Sequence, residues 1–223
     1  MTDFAPDIWP VVALSLRVAI VATLAALPVA VGVAYVLERY RFPLRWLLNL
    51  VVYLPLVLPP VVTGYALLLL FSPAAPLGAA LEGIGLPLAF RWTGAALAAG
   101  IMGFPLMVRA MRLSIAAIDP GLEAAAATLG ASRLRVFATV TLPLALPGIV
   151  AGAALGFAKA LGEFGATITF AGNIPGETRT IPSAIYTFLQ APGKEPQVLV
   201  FVSISVVIAV GALVVSEMFG RRR

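Results

Sequence analysis

The sequence predicts an all-α integral membrane protein with about five transmembrane helices, and three observations carry that prediction. Hydrophobic residues make up 61% of the 223 residues and charged residues 11%, with a mean hydropathy of +1.03. A soluble domain carries about 25% charged residues. Five apolar runs, roughly 11–37, 46–71, 93–111, 144–166 and 197–219, reach the length that a helix needs to cross a bilayer, about 20 residues. Most of the basic residues lie in alternate connections between those runs. No internal repeat, low-complexity tract or soluble domain interrupts them, so residues 1–223 read as a single transmembrane domain.

Orientation follows from the same basic residues. Arg39, Arg41 and Arg45 follow the first run. Arg109, Arg112, Arg133 and Arg135 surround the connection near 109–143, and Arg221, Arg222 and Arg223 end the chain. The opposite connections hold only Arg91, Arg179 and Lys194. The arginine-rich side is cytoplasmic by the positive-inside rule, which puts the N-terminus outside and the C-terminus inside. The net charge of +5 thus reports topology and gives no reason to expect nucleic acid. The opening MTDFAPDIWP has no basic stretch of the kind that begins a cleaved signal peptide, so the first run is expected to be retained.

There is no cysteine and no histidine. Disulfides, thiolate nucleophiles, histidine bases and the usual zinc sets are excluded. We expect no catalytic, cofactor-binding or metal-binding residues.

Each element has its own justification. In the first run, Arg17 lies about a turn and a half inside and is expected to snorkel outward. In the second, Pro55, Pro59 and Pro60 each remove a backbone donor. If a helix restarts at Pro60, the amides of Val61, Val62 and Thr63 form a positive end near the midplane, where an oxyanion could pass; a packing kink is the alternative. The third run, 93–111, leads to Asp119-Pro120, a helix start with a capping acid and a proline at the first position. Glu123 to Leu129 is alanine-rich and helix-forming. Gly130 ends it, and Ser132 can cap a second helix beginning near Arg133. Residues 119–141 therefore read as helix, glycine corner, helix on the cytoplasmic face. Its small residues suit close packing by another protein, although a plain surface loop satisfies the same pattern.

In the fourth run, Gly148, Gly152 and Gly156 recur every four residues, with Ala145 and Ala160 extending the row. Such a stripe lets another helix approach closely. Lys159 and Glu163, four apart, are expected to pair, because a lone charge in lipid is costly. Two readings stand: a structural ion pair at an outer gate, or an anion-attracting lysine held by its glutamate. Beyond it, 180–190 suits a short helix capped by Ser183, with Ile185, Phe188 and Leu189 on its apolar face. The fifth run, 197–219, completes the set.

Gly130, nine residues, Val140, one residue and Leu142-Pro143 resemble the "EAA" loop of ABC-transporter permeases. There the pattern is EAA, three residues, Gly, nine residues, Ile, one residue, Leu-Pro. The front departs: six residues before Gly130 stands Ala124, and the acid is Glu123, so the role of the leading acid is not carried over to it. The resemblance implies that about 119–141, including Glu123, Ala124, Ala125, Leu129, Gly130, Arg133 and Arg135, couples to a separate cytoplasmic ATPase. The chain has no Gly-x-x-x-x-Gly-Lys-[Ser/Thr] loop, so it is not that ATPase.

Gly-Glu-Phe-Gly (162–165), paired with Asn-Ile-Pro-Gly-Glu-Thr-Arg-Thr-Ile-Pro (173–182), resembles the molybdate ABC-transporter permeases, as does YLPLVLPPVVTGYALLLLF (53–71). That resemblance implies a type I ABC importer permease fold and a bacterial inner-membrane homodimer. It also implies two ATPase subunits and a periplasmic oxyanion-binding protein. Pro59, Pro60, Thr63, Lys159, Glu163 and Phe164 are the candidates for the pathway or its gate. Sulfate, thiosulfate or tungstate permeases are rivals within the class, and an ATPase-independent secondary transporter is the rival outside it. A membrane enzyme lacks an obvious catalytic set.

Overall fold

In the computed structural model, which describes residues 8–220 with side chains to Ala212 and Val214, every regular element among the described residues is a helix. The N-terminal MTDFAPD and the tail arginines Arg221, Arg222 and Arg223, both used in the sequence argument, lie outside the described residues.

The first helix, α1 (Ile8–Arg39), has 32 residues and is about 48 Å long, well over the roughly 30 Å hydrocarbon core, so it must tilt. It buries Val11, Ser15, Val18, Ala22, Ala30, Ala34 and Leu37, a stripe at helical spacing. The second run is interrupted, with a restart at Pro60 as one of the two sequence readings had it. It is two helices, α2 (Arg45–Val57) and α3 (Pro60–Phe71), bent by 115° at Leu58-Pro59. The cause is local: Pro59 and Pro60 supply no amide, and α2 closes with Leu58 extended. The pair nevertheless traverses the fold. Val52 of α2 packs with Met107, Met111 and Ile115, whereas Leu67 of α3 packs with Ala98 and Met102, nearer the start of the same partner helix.

That partner is α5 (Trp92–Ala116), reached through the short α4 (Pro76–Gly83), which the sequence reading did not anticipate. α5 is the central helix of the core. After it come α6 (Pro120–Thr128), α7 (Arg133–Val136), a π-helical turn (Phe137–Thr141) and α8 (Leu142–Leu161). From Arg133 to Leu161 the helix is continuous over 29 residues, passing through the π-helical turn into α8 at Leu142. The fourth run also ends earlier than expected, at Leu161, and residues 165–170 form a separate short helix, α9 (Gly165–Phe170).

α8 packs on α5 through its glycines. A Cβ at Gly148 would collide with Ser114, one at Gly152 would lie 3.0 Å from the Met107 carbonyl, and one at Gly156 would lie 2.6 Å from Met107 Cγ and Sδ. The stripe is a close helix–helix contact. α10 (Ile181–Leu189) and α11 (Glu195–Gly220) complete the chain. The cap of α10 is Thr180, with Ser183 as its reciprocal partner at the third position; Ser183 is not itself the cap. The Thr180 amide donates to Ser183 Oγ at 2.9 Å, a short-range capping box. Ile185 and Phe188 pack inward, but Leu189 is exposed. α11 packs on both α10 and α8, and its buried Phe201 stacks on Phe188 at 5.8 Å.

Candidate functional site

Two groups of residues concern function. The first is the elbow formed by α6 and α7. Asp119 accepts from the Gly121 amide at 2.8 Å and Ser132 from the Arg135 amide at 3.4 Å, the two caps expected from the sequence. Gly130 between them has φ of +86°, a left-handed conformation that glycine adopts without strain. No residue of α6 is buried, and Leu129 and Leu134 are 90% and 76% exposed. Ala124, Ala125, Arg133 and Arg135 share this elbow, with Ala124, Ala125, Arg133 and Arg135 all reaching its accessible surface to some degree.

Glu123 is different. Its Oε1 accepts from Arg39 Nε at 3.2 Å and from Thr141 Oγ1 at 2.6 Å, and the same Nε lies 3.0 Å from Oε2. Arg39 Nη2 also donates to the Ile118 carbonyl at 3.2 Å. One acid therefore ties the elbow to the end of α1 and to the π-helical turn that opens α8. Tyr35 on α1 packs against Phe137 of that turn at 4.7 Å. A second tie lies alongside: Arg112 of α5 meets Glu38 of α1 at 3.3 Å and Asn49 of α2 at 2.9 Å. The sequence reading placed Glu123 in the elbow but gave it no partner, and it used Arg39 only for topology. No spacing rule connects residues 84 apart, so nothing in the sequence pattern marked the pair.

The second group surrounds the break between α2 and α3. Pro59 caps α3 and Pro60 is its first residue. The expectation of three free amides there is corrected: Val62 and Thr63 both donate to the Pro59 carbonyl, at 2.9 and 3.3 Å. Of the three amides only that of Val61 is left without a backbone partner at the start of α3. Thr63 is buried, and its Oγ1 has no hydrogen-bond partner. The start of α9 abuts the start of α3. A Cβ on Gly165 would lie 2.7 Å from Pro60 Cβ, and one on Gly64 would lie 2.5 Å from the Ala166 carbonyl.

Glu163 lies just before α9 and is 2% exposed. Lys159 Nζ donates to one carboxylate oxygen at 2.7 Å and the Ala166 amide to the other at 3.0 Å. Both oxygens are thus satisfied, which is what a buried acid at membrane depth requires. Lys159 keeps part of its side chain accessible. Phe164 precedes α9 and packs on Tyr186 of α10 at 5.0 Å. The structure therefore gathers Pro59, Pro60, Thr63, Glu163 and Phe164 around one junction, with Lys159 a turn away. Arg17 does not simply snorkel: its guanidinium lies 3.7 Å over the Trp92 ring, a cation–π contact. No group of three or more acids, cysteines or histidines among the described residues could hold a metal.

The model of the family described as "binding-protein-dependent transport system inner membrane component" matches residues 26–223. The chain belongs to that family. It is a multi-pass inner-membrane transport component and not an ATPase. Among curated relatives, the molybdenum transport system permease protein ModB of Escherichia coli (strain K12) is 53% identical over 96% of this chain and 93% of its own length. The ModB of Haemophilus influenzae is 50% identical over 94% and 92%. The sulfate transport system permease protein CysT of Salmonella typhimurium is 37% identical over 85% and 69%.

Solved structures agree on the fold. A bacterial alginate ABC transporter in complex with a periplasmic protein that holds an alginate pentasaccharide gives a TM-score of 0.76 at 17% identity, over 98% of this chain and 80% of its own. The inward-facing MetNI methionine ABC transporter gives 0.71 at 16%, over 99% and 98%. The architecture is the type I ABC importer permease fold.

Proposed function

We propose that this chain is the membrane-spanning subunit of an ATP-driven importer of molybdate. The observation that carries the reading is the 53% identity to a molybdenum permease across nearly the whole of both chains. The lower identity to a sulfate permease makes sulfate the weaker alternative, and tungstate differs from molybdate too little for any residue here to separate them.

The mechanism follows from the elbow. An exposed apolar tip, Leu129 and Leu134 flanked by Arg133 and Arg135, suits a groove on a cytoplasmic ATPase subunit. Motion of the ATPase would move the elbow as one body because both its helices are capped. Glu123 would pass that motion to α1 through Arg39 and to α8 through Thr141. The continuous helix from Arg133 to Leu161 then carries it to the junction of α8, α9 and α3, where Lys159 and Glu163 lie. Two copies related by a two-fold axis, each with its ATPase, would place that junction beside a shared path. The ten arginines on the elbow side put the N-terminus outside, so the 173–182 loop faces the periplasmic binding protein.

The test is complementation. A bacterium without its own molybdenum permease should regain molybdenum accumulation when given this chain with a matching ATPase and binding protein. Excess sulfate should leave accumulation unchanged. Accumulation that sulfate abolishes would favour the sulfate reading.

A further inference from the structure

We infer that the furrow between α1, α2 and α5 holds a phospholipid, its phosphate on Arg17 and one acyl chain lying along the furrow. The inference is independent of the cargo; it uses the orientation above only to name the leaflet as the outer one.

The furrow has a volume of about 620 Å³, and its walls are almost wholly apolar, with Val21, Ala25 and Val29 from α1, Val51 from α2, and Gly100 and Phe104 from α5 among them. On α1 the wall runs from Val21 to Val33, about 18 Å of helix. One leaflet of the hydrocarbon core is about 15 Å deep. The furrow is therefore long enough to take one acyl chain, which from Arg17 to Val33 follows about 24 Å of helix and passes the midplane.

Arg17 stands on the same helical row, one turn beyond Val21. Its side chain is exposed and lies over Trp92, the first residue of α5, one place before Thr93 at the furrow's upper edge. Arginine carries five donors, and a ring face accepts at most from above its plane. Arg17 takes part in none of the four ion pairs among the described residues. A cation near the membrane interface, held by a tryptophan and unmatched by any acid among the described residues, calls for an anion from outside them. A phosphate directly above an apolar furrow is the shape of a phospholipid. A free anion would use the arginine but leave the furrow unexplained; a second protein copy would fill the furrow but bring no required negative charge.

The test uses the permease–ATPase complex in detergent, with lipid retention read by native mass spectrometry. Dioleoyl phosphatidylglycerol is one probe and dioleoylglycerol, which lacks the phosphate, the other. The parent should retain the phospholipid in preference to the diacylglycerol. Arg17→Gln should lower phospholipid retention about fivefold, the loss expected for one arginine at a lipid surface. Ala25→Trp, at an exposed position in the wall, should lower retention of both probes while the complex stays assembled. Equal retention by parent and Arg17→Gln would overturn the inference. So would displacement of the lipid by millimolar inorganic phosphate, which would mark a free-anion site. Efficient disulfide formation between two Ala25→Cys copies in the membrane would also overturn it, since the furrow would then be an interface between copies.

Discussion

Arg39 and Glu123 are 84 residues apart in the chain and meet at 3.0 Å, joining the end of the first span to the cytoplasmic elbow. The same carboxylate holds Thr141, so a single side chain links three elements. The pair is only partly exposed, which limits solvent screening, and its partners lie on rigid helices. In the proposed mechanism Glu123 is a positioning residue between the elbow's ATPase contact and the spans.

If so, Glu123→Ala should leave the complex assembled and hydrolysing ATP while lowering molybdate imported per ATP. Arg39→Ala should do the same, and the double change should be no worse than either alone, because both remove one link. Additive losses, measured as the uptake-to-hydrolysis ratio in vesicles, would show that the two residues act separately.

The corner at Gly130 has the left-handed φ of +86° that a β-branched residue resists. Gly130→Val should misdirect α7 and weaken retention of the ATPase subunit, with membrane insertion intact. No atom lies within 4 Å of a Cβ built there, so the effect would come from the backbone and not from crowding. Parental co-purification of the ATPase would contradict this.

Glu163 and Lys159 form a buried–accessible pair. Lys159→Ala leaves the buried Glu163 carboxylate without its counter-charge, at a cost of about 3–5 kcal/mol, and Glu163→Ala, which leaves a partly accessible lysine, should cost less. The double change Lys159→Ala plus Glu163→Ala should restore most of that stability, read as the unfolding midpoint in detergent. A stable double variant that has lost transport would assign the lysine to the pathway.

Close packing of α8 on α5 sets a fourth expectation. Gly148→Val should cost about 1–3 kcal/mol or more, because its new atoms meet Ser114 at its Cβ, close to the backbone. Gly156→Ala should cost less, because the Met107 side chain that it meets can move aside. Gly211→Ala, with nothing within 4 Å, should be close to neutral. Equal effects at all three positions, compared by thermal unfolding, would contradict the packing.

Much of the architecture was legible because membrane spans announce themselves by length and composition. The elbow was legible because capping and glycine chemistry are local: Asp119, Gly130 and Ser132 each act within a few residues. The Lys159–Glu163 pair was legible for the same reason, being one helical turn apart. What escaped the sequence was long-range. The 115° turn at Leu58-Pro59 depends on what α3 packs against, so the prolines signalled a break without its angle. Arg17 found Trp92, and Glu123 found Arg39, through tertiary packing that no spacing rule encodes.

Orientation can be read directly, since the chain has no native cysteine. Ser132→Cys should react only with a reagent applied from the cytoplasmic side, and Asn173→Cys only from the outside. The reverse pattern would invert the membrane orientation and remove the elbow from the ATPase.

The central claim is that this chain carries molybdate across the membrane on energy delivered through its elbow. The most direct measurement is radiolabelled molybdate uptake by proteoliposomes holding this permease and its ATPase, with ATP enclosed on the elbow side and the binding protein on the other. The account predicts accumulation that requires both ATP and the binding protein and that persists when ionophores dissipate proton and sodium gradients. Uptake that proceeds without ATP, or that collapses with the proton gradient, would contradict it.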